Sequence, residues 1–553
     1  MKTFLKKYWL LAIIIFLSLI LRVYKIADNP PSLNWDEVSH GFNAYSILKT
    51  GRDEWGVKLP LIFRCFGDFK LPLYIYLTVL PVALFGLNPF SVRFVSILSG
   101  VGLAIVGYFL GKKLTKKESG GWLTALLVAI SPWSLFLSRV AVEANLGAFL
   151  LSLGGYFWLV WQEKKGNRKN LILAVLFWGL SLYAYNSTRV LVPLLFLATL
   201  ISALKKKRLK QVVFPAFLLA LFFIPVVFQF LNKSGGARFF WVSPVDQGAI
   251  NRIIEKRVSS QLPAFVSRLF YNRPSYFLGY SFRNYLKHFS PSFWFFSGGD
   301  HYQFSLPGLG LIYIVAAPFL LLGLFFTVFS PRRCANAHLR GALIAWFLLS
   351  LAPSAITRDS PHVLRSILIL PLPMVFISLG AIEITSFLKS RSRFGGKLLF
   401  TTFSFMLLVN LAFWWRNYWQ IYRPNYSWAW QFGQQRAVEY VKEHYGDYDR
   451  IVFTKKYGEP HEFILFYWPW EPADYQYDQS KVWDYHANWY WIDGFDKFQF
   501  WNDWEVESKL KVKNEKLKIL LVTSPGNWVE GGELVKEVNF LNGEPAFEII
   551  SYD

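Results

Sequence analysis

The chain of 553 residues is 54% hydrophobic and 19% aromatic and carries a formal net charge of +23. Its apolar residues lie in long blocks joined by short basic connectors, a pattern that excludes a soluble globular enzyme and describes a polytopic membrane protein. Because the positive excess sits in those connectors, it reads as a topology signal, and no nucleic-acid partner is expected.

The chain starts "MKTFLKKYWLLAIIIFLSLILRVYK", with basic residues ahead of an apolar run from Tyr8 to Tyr24. That run lacks a small-x-small cleavage site and as a helix reaches about 25 Å, so it is expected to be an uncleaved first span. Further spans are expected over 90–111, 120–137, 145–161, 170–185, 188–204, 211–230, 306–329, 340–356, 362–388 and 397–415. The stretch "LPLYIYLTVLPVALFG" at 71–86 is ambiguous by composition. If it spanned, the connectors "KKLTKK", "EKKGNRK", "KKKRLK", "PRRCANAHLR" and "KSRSRFGGK" would all lie opposite the basic N-terminus. As a juxtamembrane element it leaves all six basic segments on the cytoplasmic side. Pro72 and Pro81 also discourage one straight helix there.

This gives an all-α polytopic membrane protein of about eleven spans, with juxtamembrane helices in the first outer loop and a small C-terminal α/β domain. The expected membrane domain is 1–415, with outer loops 25–89 and 231–305, and the expected extracytoplasmic domain is 416–553. Cys65 and Cys334 fall on opposite sides of the membrane, so no disulfide between them is expected. The tail begins "FWWRNYWQIYRPNYSWAW", an interfacial aromatic belt, followed by a helix-like stretch near 430–445 and β-like runs at 450–454, 518–523 and 547–551. Its aromatic islands, "LFYWPW" and "VWDYHANWYWIDGF", fit either a core or a surface that stacks on sugar rings.

In "SLNWDEVSHGFNAYSILKTG" (32–51), Asn34 is a good N-cap and Glu37 stands three residues later, the pattern of a capping box. Val38, Phe42, Tyr45 and Leu48 then share a face, and Gly51 is a natural stop. Asp36 and Glu37 are thereby explained as first-turn acids. The same helix end favours the charged form of a carboxylate, and a charged carboxylate is what a general base requires.

The "WDE" of the first outer loop, "GDFKLPLYIY" and "NPFSVRFVSILSG" together resemble glycosyltransferase family 39 of the GT-C fold, which includes protein O-mannosyltransferases and lipid A aminoarabinose transferases. "SPWSLFLSRVAVEAN" and "SPHVLRSILILPLP" are similar to later stretches of bacterial members, so the likeness covers roughly residues 8 to 390. The resemblance implies inverting transfer of a sugar from a polyprenyl-phosphate donor to a protein, lipid or cell-envelope glycan at the outer face of the cell membrane. The family's first-loop aspartate acts as base, and it matches Asp36; Glu37 then supports or orients.

A departing phosphate needs cations. The candidates are Arg139 in "SRVAVEAN", Arg189 in "YNSTR", Lys70, and His362 with Arg365 in "TRDSPHVLR", where Ser360 and Pro361 look like an N-cap and first helical position. Arg189 and Lys70 are equally readable as interfacial anchors, whereas Arg139 and Arg365, which lie within the family-like stretches, are less so. Glu143 and Asn145 are candidates for binding acceptor or donor sugar, although Arg139 four residues before Glu143 suits a structural ion pair. Asp36, Glu37, Asp53, Glu54, Asp68 and Glu143 make a hard-cation site conceivable. With no Asp-x-Asp in the first loop, the resemblance points to metal-independent transfer, and no cofactor is expected.

Two other classes share the broad pattern. A transporter or flippase of lipid-linked glycans would place its charges near the bilayer midplane, whereas the acidic pair lies in a loop. A GT-C glycan ligase or polymerase would rely on Arg and His late in the chain, which "PHVLR" keeps open.

Overall fold

The computed structural model describes residues 2–67, 69–163, 167–231, 241–329, 337–487, 489–511 and 517–552. The protein is mostly helical, with several apolar helices and a C-terminal mixed β-sheet. Helices α1 (Lys2–Val23), α2 (Trp35–Thr50) and α3 (Pro72–Phe85) come first, with a two-stranded hairpin, β1 (Phe63–Arg64) and β2 (Phe69–Lys70), between α2 and α3. There follow α4 (Pro89–Thr115), α5 (Glu118–Ile130), α6 (Pro132–Leu137), α7 (Glu143–Trp161), α8 (Arg168–Ser181), α9 (Thr188–Lys205) and α10 (Val213–Leu231). Among the described residues, six helices are long and apolar enough to cross a membrane: Pro89–Thr115, Glu143–Trp161, Thr188–Lys205, Val213–Leu231, Leu372–Arg391 and Phe394–Asn425. Shorter apolar helices cover 8–23, 72–85, 118–130, 314–329 and 339–355.

The chain forms two compact units. One comprises Met1–Arg22, Ser96–Ser138 and Val142–Trp414; the other comprises Val23–Val95, Arg139–Ala141 and Trp415–Asp553. In the first, helices Ala317–Phe329 and Leu372–Arg391 cross where two glycines face backbone. A Cβ on Gly323 would stand 1.8 Å from the Phe376 carbonyl oxygen, and one on Gly380 would stand 2.0 Å from that of Phe319. Only hydrogen side chains permit this approach, the usual device for close helix contact within a membrane.

The second unit contains a seven-stranded sheet built from β3 (Arg450–Thr454), β4 (Val482–His486), β5 (Trp489–Phe495), β6 (Phe498–Trp501), β7 (Ile519–Thr523), β8 (Glu533–Asn539) and β9 (Pro545–Tyr552), in the order β4-β5-β6-β3-β7-β9-β8. Central β3 runs parallel to both β6 and β7, and its residues Ile451 to Thr454 are all buried, as a strand covered on both faces requires. The island "VWDYHANWYWIDGF" becomes the edge hairpin β4-β5, with Trp483 and Tyr485 exposed and Ile492 and Phe495 in the core.

Three sequence expectations are corrected. The segment 71–86 forms one continuous helix, α3, in which Pro72 occupies the first turn and Pro81 sits inside. The helix expected from 362 begins instead at Leu372; 357–366 is turn and bend, and Pro371 lacks the N–H that a helix running through it would need. There is consequently no helix N-terminus at Ser360 and Pro361. The helix expected from 306 starts at Ala317, after a short 3₁₀ turn at Ile314–Ala316. Cys65 is a buried free thiol, whereas Cys334 and Asp68 lie outside the described residues.

Candidate active site

The N-terminus of α2 is built as its sequence indicates. Asn34 Oδ1 accepts from the Glu37 amide at 3.0 Å, and Glu37 Oε2 accepts from the Asn34 amide at 3.2 Å. At the other end Gly51, at φ 68°, closes the helix in the left-handed region.

Glu37 is fully buried and wholly engaged. Arg93 donates to it twice, from Nε at 2.8 Å to Oε1 and from Nη2 at 3.0 Å to Oε2, and the Ala141 amide adds a bond of 2.8 Å to Oε1. The remaining donors of Arg93 reach the carbonyls of Ile26 at 2.6 Å and Ser32 at 2.7 Å. A bidentate guanidinium–carboxylate pair with every donor satisfied is the geometry in which a buried ion pair is tolerable. Glu37 is therefore the anchor of α2 and of the chain entering it.

Asp36, one residue earlier, faces outward. Its side chain is 40% exposed and is held by the buried Lys70 ammonium. Lys70 is positioned by the hairpin β1-β2, in which Phe63 pairs with Lys70, and the Phe66 ring lies beneath its Nζ. The acidic pair thus divides into a buried anchor and an accessible carboxylate oriented by a lysine.

The other predicted residues fall into separate places. Arg139 is fully buried; it donates to the Tyr418 hydroxyl at 3.1 Å and to the carbonyls of Tyr24 at 2.9 Å and Asn29 at 2.7 Å. This geometry braces the segment between α1 and α2 and commits the guanidinium to the protein itself. Asn145, equally buried, donates to the Ser96 carbonyl at 2.7 Å, whereas Glu143 is half-buried at the start of α7.

Arg189 and Arg365 line one cavity of about 380 Å³, walled by Val190, Phe223, Val226, Val227 and Phe230. Arg189 Nη2 donates to Gln229 at 2.7 Å, and its buried Nη1 has no hydrogen-bond partner. Arg365 Nη1 donates to Thr357 Oγ1 at 2.9 Å, and Nη2 stands 3.9 Å from the exposed Asp359 carboxylate. Apolar walls with two cations suit a chain-bearing anion. His362 lines a different cavity, of about 440 Å³, together with His301 and Arg358.

Sequence reasoning missed Arg93, although it lies in a quoted motif. The signal was available, because an arginine inside an apolar helix is costly unless it has a defined partner.

Residues 70–229 match the family model described as dolichyl-phosphate-mannose-protein mannosyltransferase. The family-39 resemblance drawn from the motifs therefore holds over that segment. No functionally curated protein matches the chain in sequence. Among solved structures, it is similar to ArnT from Cupriavidus metallidurans bound to undecaprenyl phosphate, at 12% identity and TM-score 0.53, covering 100% of this chain and 98% of that one. The apo state of the same protein gives 11% identity and TM-score 0.51 over the same shares. The archaeal oligosaccharyltransferase AglB from Archaeoglobus fulgidus, in complex with an inhibitory peptide and a dolichol-phosphate, gives 15% identity and TM-score 0.50. That match covers 83% of this chain, which spans only 64% of the length of AglB. The chain accordingly shares the fold of ArnT and, with its several long apolar helices, is an integral multi-pass membrane protein.

Proposed function

We propose that this protein is an inverting glycosyltransferase that moves a sugar from a polyprenyl-phosphate donor to a protein, lipid or cell-envelope glycan at the outer face of the membrane. In this reading the N-terminus is cytoplasmic, and the first outer loop and the region from 416 are extracytoplasmic. The observation that carries it is the division of labour at α2, where Glu37 is consumed by Arg93 and Ala141 while Asp36 keeps an accessible carboxylate.

Asp36 takes the proton of the acceptor as the acceptor atom bonds to the anomeric carbon. The bond from that carbon to the phosphate oxygen breaks, and its electron pair leaves on the lipid phosphate. Attack from the face opposite the phosphate inverts the anomeric centre. Lys70 orients the base. Separately, Arg189 and Arg365 line an apolar cavity of their own, whose charge and walls suit the phosphate of a lipid-borne donor.

In purified protein given a panel of polyprenyl-phosphate sugars, Asp36→Asn is expected to lower transfer by about 10²–10⁴-fold and to leave donor binding intact. Normal turnover by that variant removes Asp36 as the base. Release of sugar from none of the donors by the wild type, alongside saturable transport of lipid-linked glycan, would favour a flippase instead.

A further inference from the structure

Three ligand-type side chains meet in the second compact unit, away from the Asp36–Lys70 pair in sequence and in hydrogen bonding. Glu54 follows α2, and His461 and Glu462 lie in the first turn of the helix Pro460–Tyr467. One carboxylate oxygen or ring nitrogen from each lies within 4.8 Å of the others. All three residues are nearly sealed from solvent, at 3%, 4% and 1% exposure. Within this sealed volume Glu54 Oε2, Glu462 Oε2 and His461 Nδ1 have no hydrogen-bond partner.

Two carboxylates buried with open lone pairs are costly unless something positive stands between them. Of the two lysines whose charge reaches the triad, Lys455 is held by Asp493, and Lys481, which acts on Glu54 from a distance, donates to the Tyr475 carbonyl at 3.0 Å. Glu459 adds a third acid, 3.5 Å from His461 Nδ1.

We propose that Glu54, His461 and Glu462 bind one first-row divalent cation of the Zn²⁺ type. Two carboxylate oxygens and one imidazole nitrogen are the donor set that such ions accept, with a fourth position left for water. The nearest consequence lies on α2. Asn43 donates to Glu54 Oε1 at 3.1 Å and accepts from the Glu54 amide at 3.1 Å. Glu54 is thus tied directly to α2, whose first turn carries Asp36. A bound ion locks that helix to the helix Pro460–Tyr467, and it acts on Asp36 only through α2.

The test uses the full chain purified in detergent, stripped with chelator, incubated with Zn²⁺ or with Mn²⁺ and desalted. Retention of about one equivalent of either ion, with a rise in Tm of about 5 °C, is the expected result. Glu462→Gln and the triple variant Glu54→Gln, His461→Ala, Glu462→Gln are expected to lose both responses. Asp36→Asn is expected to keep both, which separates this site from the transfer chemistry. Wild type that retains no ion and shows no Tm response overturns the proposal and leaves the two carboxyl groups sharing a proton. Retention of one equivalent by the triple variant overturns it as well.

Discussion

At the N-terminus of α2 each buried charge is answered by an opposite one: Glu37 by Arg93, and Asp36 by Lys70. Around the cavity lined by Arg189 and Arg365, no acidic residue among the described residues forms the lining. There the guanidiniums are steadied chiefly by an amide, a hydroxyl and carbonyls, which fix direction without cancelling charge, and the one carboxylate recorded against them, that of the exposed Asp359, stands 3.9 Å from Arg365. The first arrangement is complete as it stands and holds a shape. The second leaves a positive field facing apolar walls, which a lipid-borne anion neutralises.

The largest effect should come from opening the closed circuit. Arg93→Met leaves Glu37 buried without its cation, and a loss of about 3–5 kcal/mol is expected for breaking such a pair from one side. Thermal unfolding in detergent reads it as a sharply lowered Tm. Adding Glu37→Gln should recover part of the loss, with a coupling energy of roughly 0.5–3 kcal/mol. Additivity of the two substitutions would mean that the pair is not the unit described here.

Next in size is the open region. Replacing Arg189 with leucine removes a cation but leaves no buried acid behind, so stability should hold while affinity for polyprenyl phosphate falls. Loss of one charge-assisted bond is worth roughly 1.5–3 kcal/mol, or about 10–150-fold in Kd. Displacement of a fluorescent polyprenyl phosphate measures this directly. A variant that unfolds but binds normally would reverse the roles of the two regions.

The two regions also differed in how well the sequence disclosed them. The capping box, the stop at Gly51 and the exposure of an acid at α2 rest on contacts a few residues apart, and local spacing encodes those. Val38 and Phe42 are buried as their face predicts, yet Leu48 is exposed, because the pattern gives a helix and not what covers its last turn. The partnership of Arg93 with Glu37 joins positions whose relation depends on how α4 returns to α2. The triad of Glu54, His461 and Glu462 joins the segment after α2 to a helix more distant still, and no periodicity carries that information. In "TRDSPHVLR" the cap-like Ser-Pro pair suggested a helix, but Pro371 and the turn before it prevail over the local signal, and His362 and Arg365 open on different cavities. Segments such as β3 and β7 were legible because strands covered on both faces are continuously apolar. The edge strands β4 and β8, largely exposed, were not.

The smallest expected effect is the sharpest discriminator. Asp359 pairs with Arg365, but its side chain is 70% exposed and its carboxylate stands 3.9 Å from Nη2. A solvent-exposed pair at that separation contributes little, and Asp359→Asn should change stability by less than about 0.5 kcal/mol. The cavity should become slightly more positive, so donor affinity is expected to stay within about twofold or to rise, and any rise should fade with added salt. A tenfold loss of polyprenyl-phosphate binding in this variant would show Asp359 to be what aims Arg365. The pocket would then be a second closed circuit of the Glu37–Arg93 kind, and its positive field would be spent within the protein before any donor arrives.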